Sequence, residues 1–305
     1  MRVEGGFVNR YLRRLLSNRR MSTARRLRRS LSAEGVGPGD IRAEHLNGVY
    51  GDLRRTRDAP DFDLPAGLFA DAVVSRIDES VPLCGVILET REHQSLVPVV
   101  LNILRNLDIP VQIFHGTDNQ KFIESSALAG LIHEGKVSLT RLRVGKLEAT
   151  RYNALLLTKT FWEHIAARRK LLFFQTDGIS CDKSRYTIEE FMKFDYIGSK
   201  WGRERPVGLI LDGGNGGVSL REWGKCYECL ERFPPDRWLG GEDGYFAFHV
   251  ELIGGVVGDA ESCARFSTQE EFTRKSLFAH KISCLPQRER DAFLKYCGDA
   301  KFILS

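Results

Sequence analysis

LLFFQTDGISC, residues 171–181, runs four apolar residues directly into Gln175, Thr176, Asp177 and Gly178. A short apolar run closed by turn formers reads as a central strand covered on both faces, because a strand buried on two sides has no polar alternation. In open α/β sheets ligands gather outside the carboxyl ends of such strands, which puts Asp177 at the edge of a candidate site. Asp-Gly is also a common turn dipeptide, so this stretch alone is equally compatible with an aspartate that only opens a turn.

The flanking rhythm supports the strand. PLCGVILET (82–90) reads as a strand, SLVPVVLNILRNL (95–107) as a helix and IPVQIFHG (109–116) as a second strand. QKFIESSALAGLI then reads as a helix, KVSLTRL as a strand and RYNALLLTKTFWEHIAARRK (151–170) as one long helix. Strands alternating with helices of this length indicate βαβ units and a mainly parallel sheet. Pro98 falls within the first helix and is expected to bend it or shift its start later. Beyond Asp177, TIEEFMKF reads as a short helix, DYIGSKW as a short strand and loop, and PVGLIL as another strand. GGNGGVSLR (213–221) reads as a glycine loop feeding a strand, REWGKCYECLERF as a helix, and 243–252 as a helix headed by an acidic pair.

With 305 residues and 42% hydrophobic content the chain can bury a sizeable core in one or two domains. The net charge of +5 is unevenly spread: residues 1–30 hold ten arginines and one acid, Glu4, and the remainder is slightly acidic. That remainder offers no electrostatic case for nucleic-acid binding. Within the basic arm, Phe7, Tyr11, Leu12, Leu15 and Leu16 recur at near-helical spacing, so an amphipathic helix on an anionic membrane surface and a solvated, partner-ordered arm both fit. No apolar stretch there reaches signal-peptide or membrane-span length, so secretion is not expected and a cytoplasmic location, with peripheral membrane contact through the arm, is. Seven cysteines without a secretory signal are expected as free thiols; Cys226 and Cys229 form a lone CxxC inside a helix, with no second pair to close a zinc site. The expected division is a basic arm and linker over 1–78, with a weak helical pattern near 66–78, a catalytic domain over 79–285 and a tail over 286–305.

Four clusters could carry chemistry. Asp177 lies at a strand end. Gly213, Gly214, Gly216 and Gly217 around Asn215 remove side chains where backbone approaches a ligand, or where a tight turn demands glycine. Glu242 and Asp243 could supply a general base, or could be first-turn acids favouring a helix dipole. His280, expected in a loop, could ligate a metal or be a plain surface histidine.

The order VILETREHQSLVPVVLNIL, VQIFHGTDN, RYNALLLTKTFWEHI, LLFFQTDGISC, IEEFMKFDYIGSKW, GNGGVSLR, GEDGYFAFHV and FAHK resembles a family of uncharacterised glycosyltransferase-like proteins, filed as a domain of unknown function, from about Val81 to Lys281. The resemblance implies an α/β, type-A glycosyltransferase-like (Rossmann-like) fold: a mixed, mainly parallel sheet flanked by helices. It implies transfer of a sugar from a UDP- or GDP-type nucleotide-sugar donor to a glycan or protein hydroxyl, assisted by Mn2+ or Mg2+. Asp177 matches the last aspartate of the family's Asp-x-Asp motif and His280 the C-terminal histidine completing the metal shell. Gln175 replaces the first acid, a neutral and weaker ligand. By the same resemblance Glu89, Arg91 and Asn153 grip the donor, while Gly214, Asn215, Gly216, Gly217 and Trp201 line the sugar and acceptor side. Glu242 and Asp243 match the pair facing the acceptor, with Asp243 the expected base and Glu242 the alternate.

Three other readings compete. A glycoside hydrolase needs two carboxylates about 5–9.5 Å apart across a bond, a poor match for adjacent residues pointing in different directions. A catalytically silent nucleotide-sugar or glycan binder is favoured by Gln175. An adaptor acting through the arginine arm makes the main domain incidental.

Overall fold

The computed structural model describes residues 21–73, 77–201 and 207–304. Most of the basic arm, including Phe7 to Leu16, lies outside the described residues.

Six strands form one sheet: β1 (Leu83–Glu89), β2 (Val111–His115), β3 (Val137–Arg141), β4 (Lys170–Phe174), β6 (Tyr196–Ser199) and β7 (Asn215–Glu222). Their order is β3-β2-β1-β4-β7-β6; β1 to β4 pair in parallel, and β7 runs antiparallel to both neighbours. This is the mixed, mainly parallel, helix-flanked α/β sheet expected. All seven residues of β1 and all five of β2 are buried, the polar Glu89, Gln112 and His115 included, so neither strand shows the regular polar alternation of a half-exposed one. Alternate side chains feed two cores: Val86, Leu171 and Phe173 point to one face, Ile87, Leu172 and Phe174 to the other. A second, three-stranded sheet, β5 (Gly178–Ser180), β9 (Phe278–His280) and β8 (Ser267–Thr268) in that order, leans on the large one beside the end of β4.

Several local expectations change. Residues 151–170 do not form one helix: helices Ala149–Leu156 and Lys159–Glu163 are separated at Thr158, whose hydroxyl donates to the Leu155 carbonyl and accepts from Phe161 N–H. The side chain competes for backbone groups and caps the second helix. Residues 120–132 likewise give two short helices, Gln120–Glu124 and Ala129–His133. Pro98 does not delay its helix, Leu96–Leu107, because it falls in the first turn, where its missing N–H needs no partner. The PVGLIL strand is absent over its described residues, 207–211, and 66–71 are turns rather than helix. His280 ends a strand instead of sitting in a loop.

Both ends of the described chain pack on the sheet. Ala24, Leu31, Ile41, Leu46 and Tyr50 join one core; Phe293, Tyr296, Ala300 and Ile303 join the other. Cys181, next to β5, is disulfide-bonded to Cys297, against the expectation of free thiols throughout. Cys226 and Cys229 are buried in the Trp223–Arg232 helix, and burial pushes both thiols up. Among the described residues no helix is long and apolar enough to cross a membrane.

Candidate functional site

The strand order reverses direction at β1, with β2 on one side and β4 on the other, so the chain leaves the C-terminal ends of β1 and β4 in different directions and opens a crevice between them. A cavity of about 620 Å³ occupies this point, within the size range of small-molecule sites. Four elements bring chemistry to it: the end of β1, the end of β4, the start of β7, which arrives beside β4 because it is antiparallel, and the first turn of the Glu242–Leu252 helix. Glu89, Arg91, Asn153, Gln175, Asp177, Asn215, Gly216, Gly217, Glu242, Asp243 and His280 all line it.

Asp177 and His280 are 103 positions apart in sequence, and the small sheet joins them. The antiparallel register of β5 and β9 sets Gly178 opposite His280, and Lys281 N–H donates to the Asp177 carbonyl at 2.8 Å. His280 Nε2 then stands 3.1 Å from Asp177 Oδ1. Both atoms are buried, and the contact is not aligned as a hydrogen bond, so neither has a hydrogen-bond partner. Burial works to raise the Asp177 carboxyl, but the nearby His280 and Lys281 outweigh it and hold the group below the usual carboxylate range. Gly217 makes room for the imidazole: a Cβ there would overlap the His280 ring.

Such a pair suits a divalent cation. Ligands at ~2.1 Å on neighbouring corners of an octahedron stand ~3 Å apart, as these two orphaned atoms do. Among the described residues no three His, Cys, Asp or Glu side chains gather into a metal cluster, so Asp177 and His280 could supply two positions and a ligand's oxygens and water the rest. Gln175 adds no carboxylate; its N–H donates to Gly217 O at 3.0 Å.

The acidic pair divides into two roles. Glu242, the expected alternate base, is committed elsewhere: both its carboxylate oxygens take bonds from Arg221, at 2.6 and 2.9 Å. Arg221 is fully buried in β7, with its guanidinium 4.3 Å from the Phe173 ring and within 5.5 Å of Tyr196 and Phe246. Burial opposes its charge, yet the Glu242 carboxylate more than offsets this and pushes its pKa up. Glu242 is therefore an anchor for the helix start. Asp243 faces the glycine loop, its Oδ2 accepting from Asn215 Nδ2 at 2.9 Å and its Oδ1 from Gly244 N–H at 2.7 Å. Asn215 Oδ1 accepts from Gly217 N–H at 3.0 Å, which links Asp243 through the loop to the backbone beneath His280.

On the opposite wall Glu89 accepts Arg91 Nε and Nη2 at 2.9 and 2.7 Å, aiming a half-exposed guanidinium along the crevice. Asn153 supports the far end: its Oδ1 accepts from Glu242 N–H at 3.2 Å, and its Nδ2 donates to Asp58 O and Ala149 O. Two expected residues do not line the cavity. Gly214 lies in the turn into β7 at φ +81°, where a Cβ would stand 2.5 Å from Ser199 O. Trp201 packs half-buried against the apolar core.

Sequence reading missed three contributors. Arg221 places a charge within the buried strand β7, a signal that could have been used, since an inward-facing charge on a buried strand needs a partner. Asn119, fully buried, ties the loops after β1 and β2 by donating to Glu89 O and Arg91 O and accepting from Gly116 N–H. Gln269 is buried in the wall against His280 Nδ1. Nothing local in sequence marks the last two.

Residues 140–282 match the model of a family described as a protein of unknown function, DUF5672. The matched span holds Asp177, the glycine loop, the acidic pair and His280, while Glu89 and Arg91 lie outside it. No curated protein matches the chain. Among solved structures, an active-site mutant of LgtC aligns at TM-score 0.42 and 12% identity, over 70% of this chain and 95% of that one. The apo-form glycosyltransferase GlyE of Streptococcus pneumoniae aligns at 0.43 and 11%, over 73% and 62%. TarS of S. aureus in complex with UDP aligns at 0.40 and 12%, over 70% and 63%.

Proposed function

We propose that this protein is a glycosyltransferase that moves a sugar from a UDP- or GDP-type nucleotide-sugar donor to a hydroxyl of a glycan or protein acceptor. The observation carrying this reading is the pairing of Asp177 with His280, two buried and unsatisfied ligand atoms 3.1 Å apart in the crevice at the sheet's switch point. They would hold Mn2+ or Mg2+, the imidazole favouring manganese. A bound divalent cation supplies positive charge against a departing diphosphate.

The chain's own residues supply the rest. Arg91, held by Glu89, presents a guanidinium to the donor phosphates. The bond between the sugar's anomeric carbon and the diphosphate oxygen breaks with its electron pair leaving on phosphate, and the acceptor oxygen bonds to that carbon. Asp243 takes the acceptor proton, a role worth ~10² to 10⁴ in rate. Asn215 and Gly244 hold its carboxylate by hydrogen bonds, and Glu242 and Arg221 fix the helix that presents it. Cytoplasmic residence, with the basic arm touching an anionic membrane surface, belongs to the same proposal.

Incubation with UDP- and GDP-sugars and Mn2+, followed by nucleoside diphosphate release, tests the reading. Release that falls about 10²-fold or more in Asp243→Asn supports it. A thermal shift with a nucleotide sugar but no release would favour the silent binder, for which Gln175 and the two-ligand metal pair argue. Full release in Asp177→Ala would remove the proposed cation site.

A further inference from the structure

His280 has two ring nitrogens, and only one can offer a lone pair toward Asp177. We propose that Gln269 is a positioning residue that keeps the proton of His280 on Nδ1, leaving Nε2 bare and pointed at Asp177. The inference rests on the cation reading above and deepens it.

The placement follows from strand register. β8 pairs in parallel with β9, with Ser267 beside Phe278 and Thr268 beside Ala279. The next step along both strands sets Gln269 beside His280. Their side chains meet at 3.2 Å, Oε1 to Nδ1, and both residues are buried. On the other side of the ring, Nε2 and Asp177 Oδ1 are close without being aligned for a hydrogen bond. A proton on Nε2 would occupy the direction a cation needs. With the proton on Nδ1, the amide oxygen accepts it and both orphaned atoms become acceptors facing one space. Hydrogen bonding at one imidazole nitrogen commonly selects the coordinating nitrogen in this way, and losing such a partner typically costs ~10–100-fold in metal affinity. Gln269 is also neutral, so it orients the ring without adding charge behind it.

The tautomer can be read without metal or donor. In ¹⁵N-histidine-labelled, metal-free protein, with His280 assigned by comparison with His280→Gln, long-range ¹H–¹⁵N correlations are expected to show the Nδ1–H form. The Nε2–H form would overturn the proposal. Gln269→Met is expected to lose that preference and to weaken Mn2+ binding ~10–100-fold, followed by the electron paramagnetic resonance of free Mn2+, while Gln269→Glu keeps both. A folded Gln269→Met with wild-type tautomer and affinity would also overturn it. If Gln269→Met fails to fold, the wild-type tautomer still decides. An Nδ1–H ring in a protein that binds no Mn2+ would uphold Gln269's role while overturning the cation reading.

Discussion

Two acid–base pairs beside the cavity differ in one respect. Arg221 and Glu242 meet in two parallel hydrogen bonds, with Ser219 Oγ accepting from Arg221 Nε at 2.9 Å and aromatic rings around the guanidinium. Asp177 and His280 meet in one misaligned contact and leave a buried oxygen and a buried nitrogen without hydrogen-bond partners. Desolvating a polar group without a partner costs about 1–3 kcal/mol, and more when it is charged. The first pair has met that cost internally and holds the helix start in place. The second has not, and a ligand is what would meet it.

Separating stability from activity is the sharpest way to break this contrast. Asp177→Ala is expected to abolish sugar transfer while leaving the urea midpoint unchanged or slightly raised, since it removes an unsatisfied group; a large loss of stability would make this pair structural too. Arg221→Ala is expected to cost about 3–5 kcal/mol, because the buried Glu242 carboxylate would lose both bonds from the guanidinium. The double variant Arg221→Met with Glu242→Leu should recover most of that in urea unfolding, and failure to recover would mean that the pair's worth lies beyond charge compensation.

Gly217→Ala probes the space between the pairs. Its Cβ would collide with the His280 ring, so a loss of about 1–3 kcal/mol is expected together with weaker Mn2+ binding, measured by titration calorimetry. Unchanged binding would show that the imidazole does not need its place over the loop.

His249 sharpens the comparison by pH. It is fully buried between Tyr50 OH, at 2.9 Å, and Tyr245 O, and burial pulls its pKa down to about 3. Between the unfolded value near 6.5 and this folded value, the unfolded chain takes up a proton that the folded chain refuses. Its stability contribution is therefore complete above about pH 6.5 and falls as pH drops toward 3, by about 2 kcal/mol at pH 5. His249→Gln should flatten that slope in urea midpoints taken from pH 7 to 5; an equally steep slope would assign the acid sensitivity elsewhere.

Much of this architecture was legible because strand burial writes directly into composition. LLFF and VIL are apolar without alternation since both faces of a parallel sheet are covered, and the residues that end them, Gln175 to Asp177 and Glu89 to Arg91, fall at the crevice for the same reason. Helix boundaries were less legible: Thr158 looks like any helix residue until its hydroxyl is seen capping a second helix. The split role of Glu242 and Asp243 was not legible at all, since adjacent acids differ only in what the fold sets beside them.

From the chain alone came the alternation of strands and helices, the strand ends that carry polar groups, and the glycines that allow close approach, because each depends on local chemistry and short-range periodicity. Only the folded structure decided which distant residues meet. The pairings of Asp177 with His280, Gln269 with His280 and Glu242 with Arg221 are set by strand register and by the antiparallel entry of β7, and register is a property of two segments at once, which no single stretch encodes.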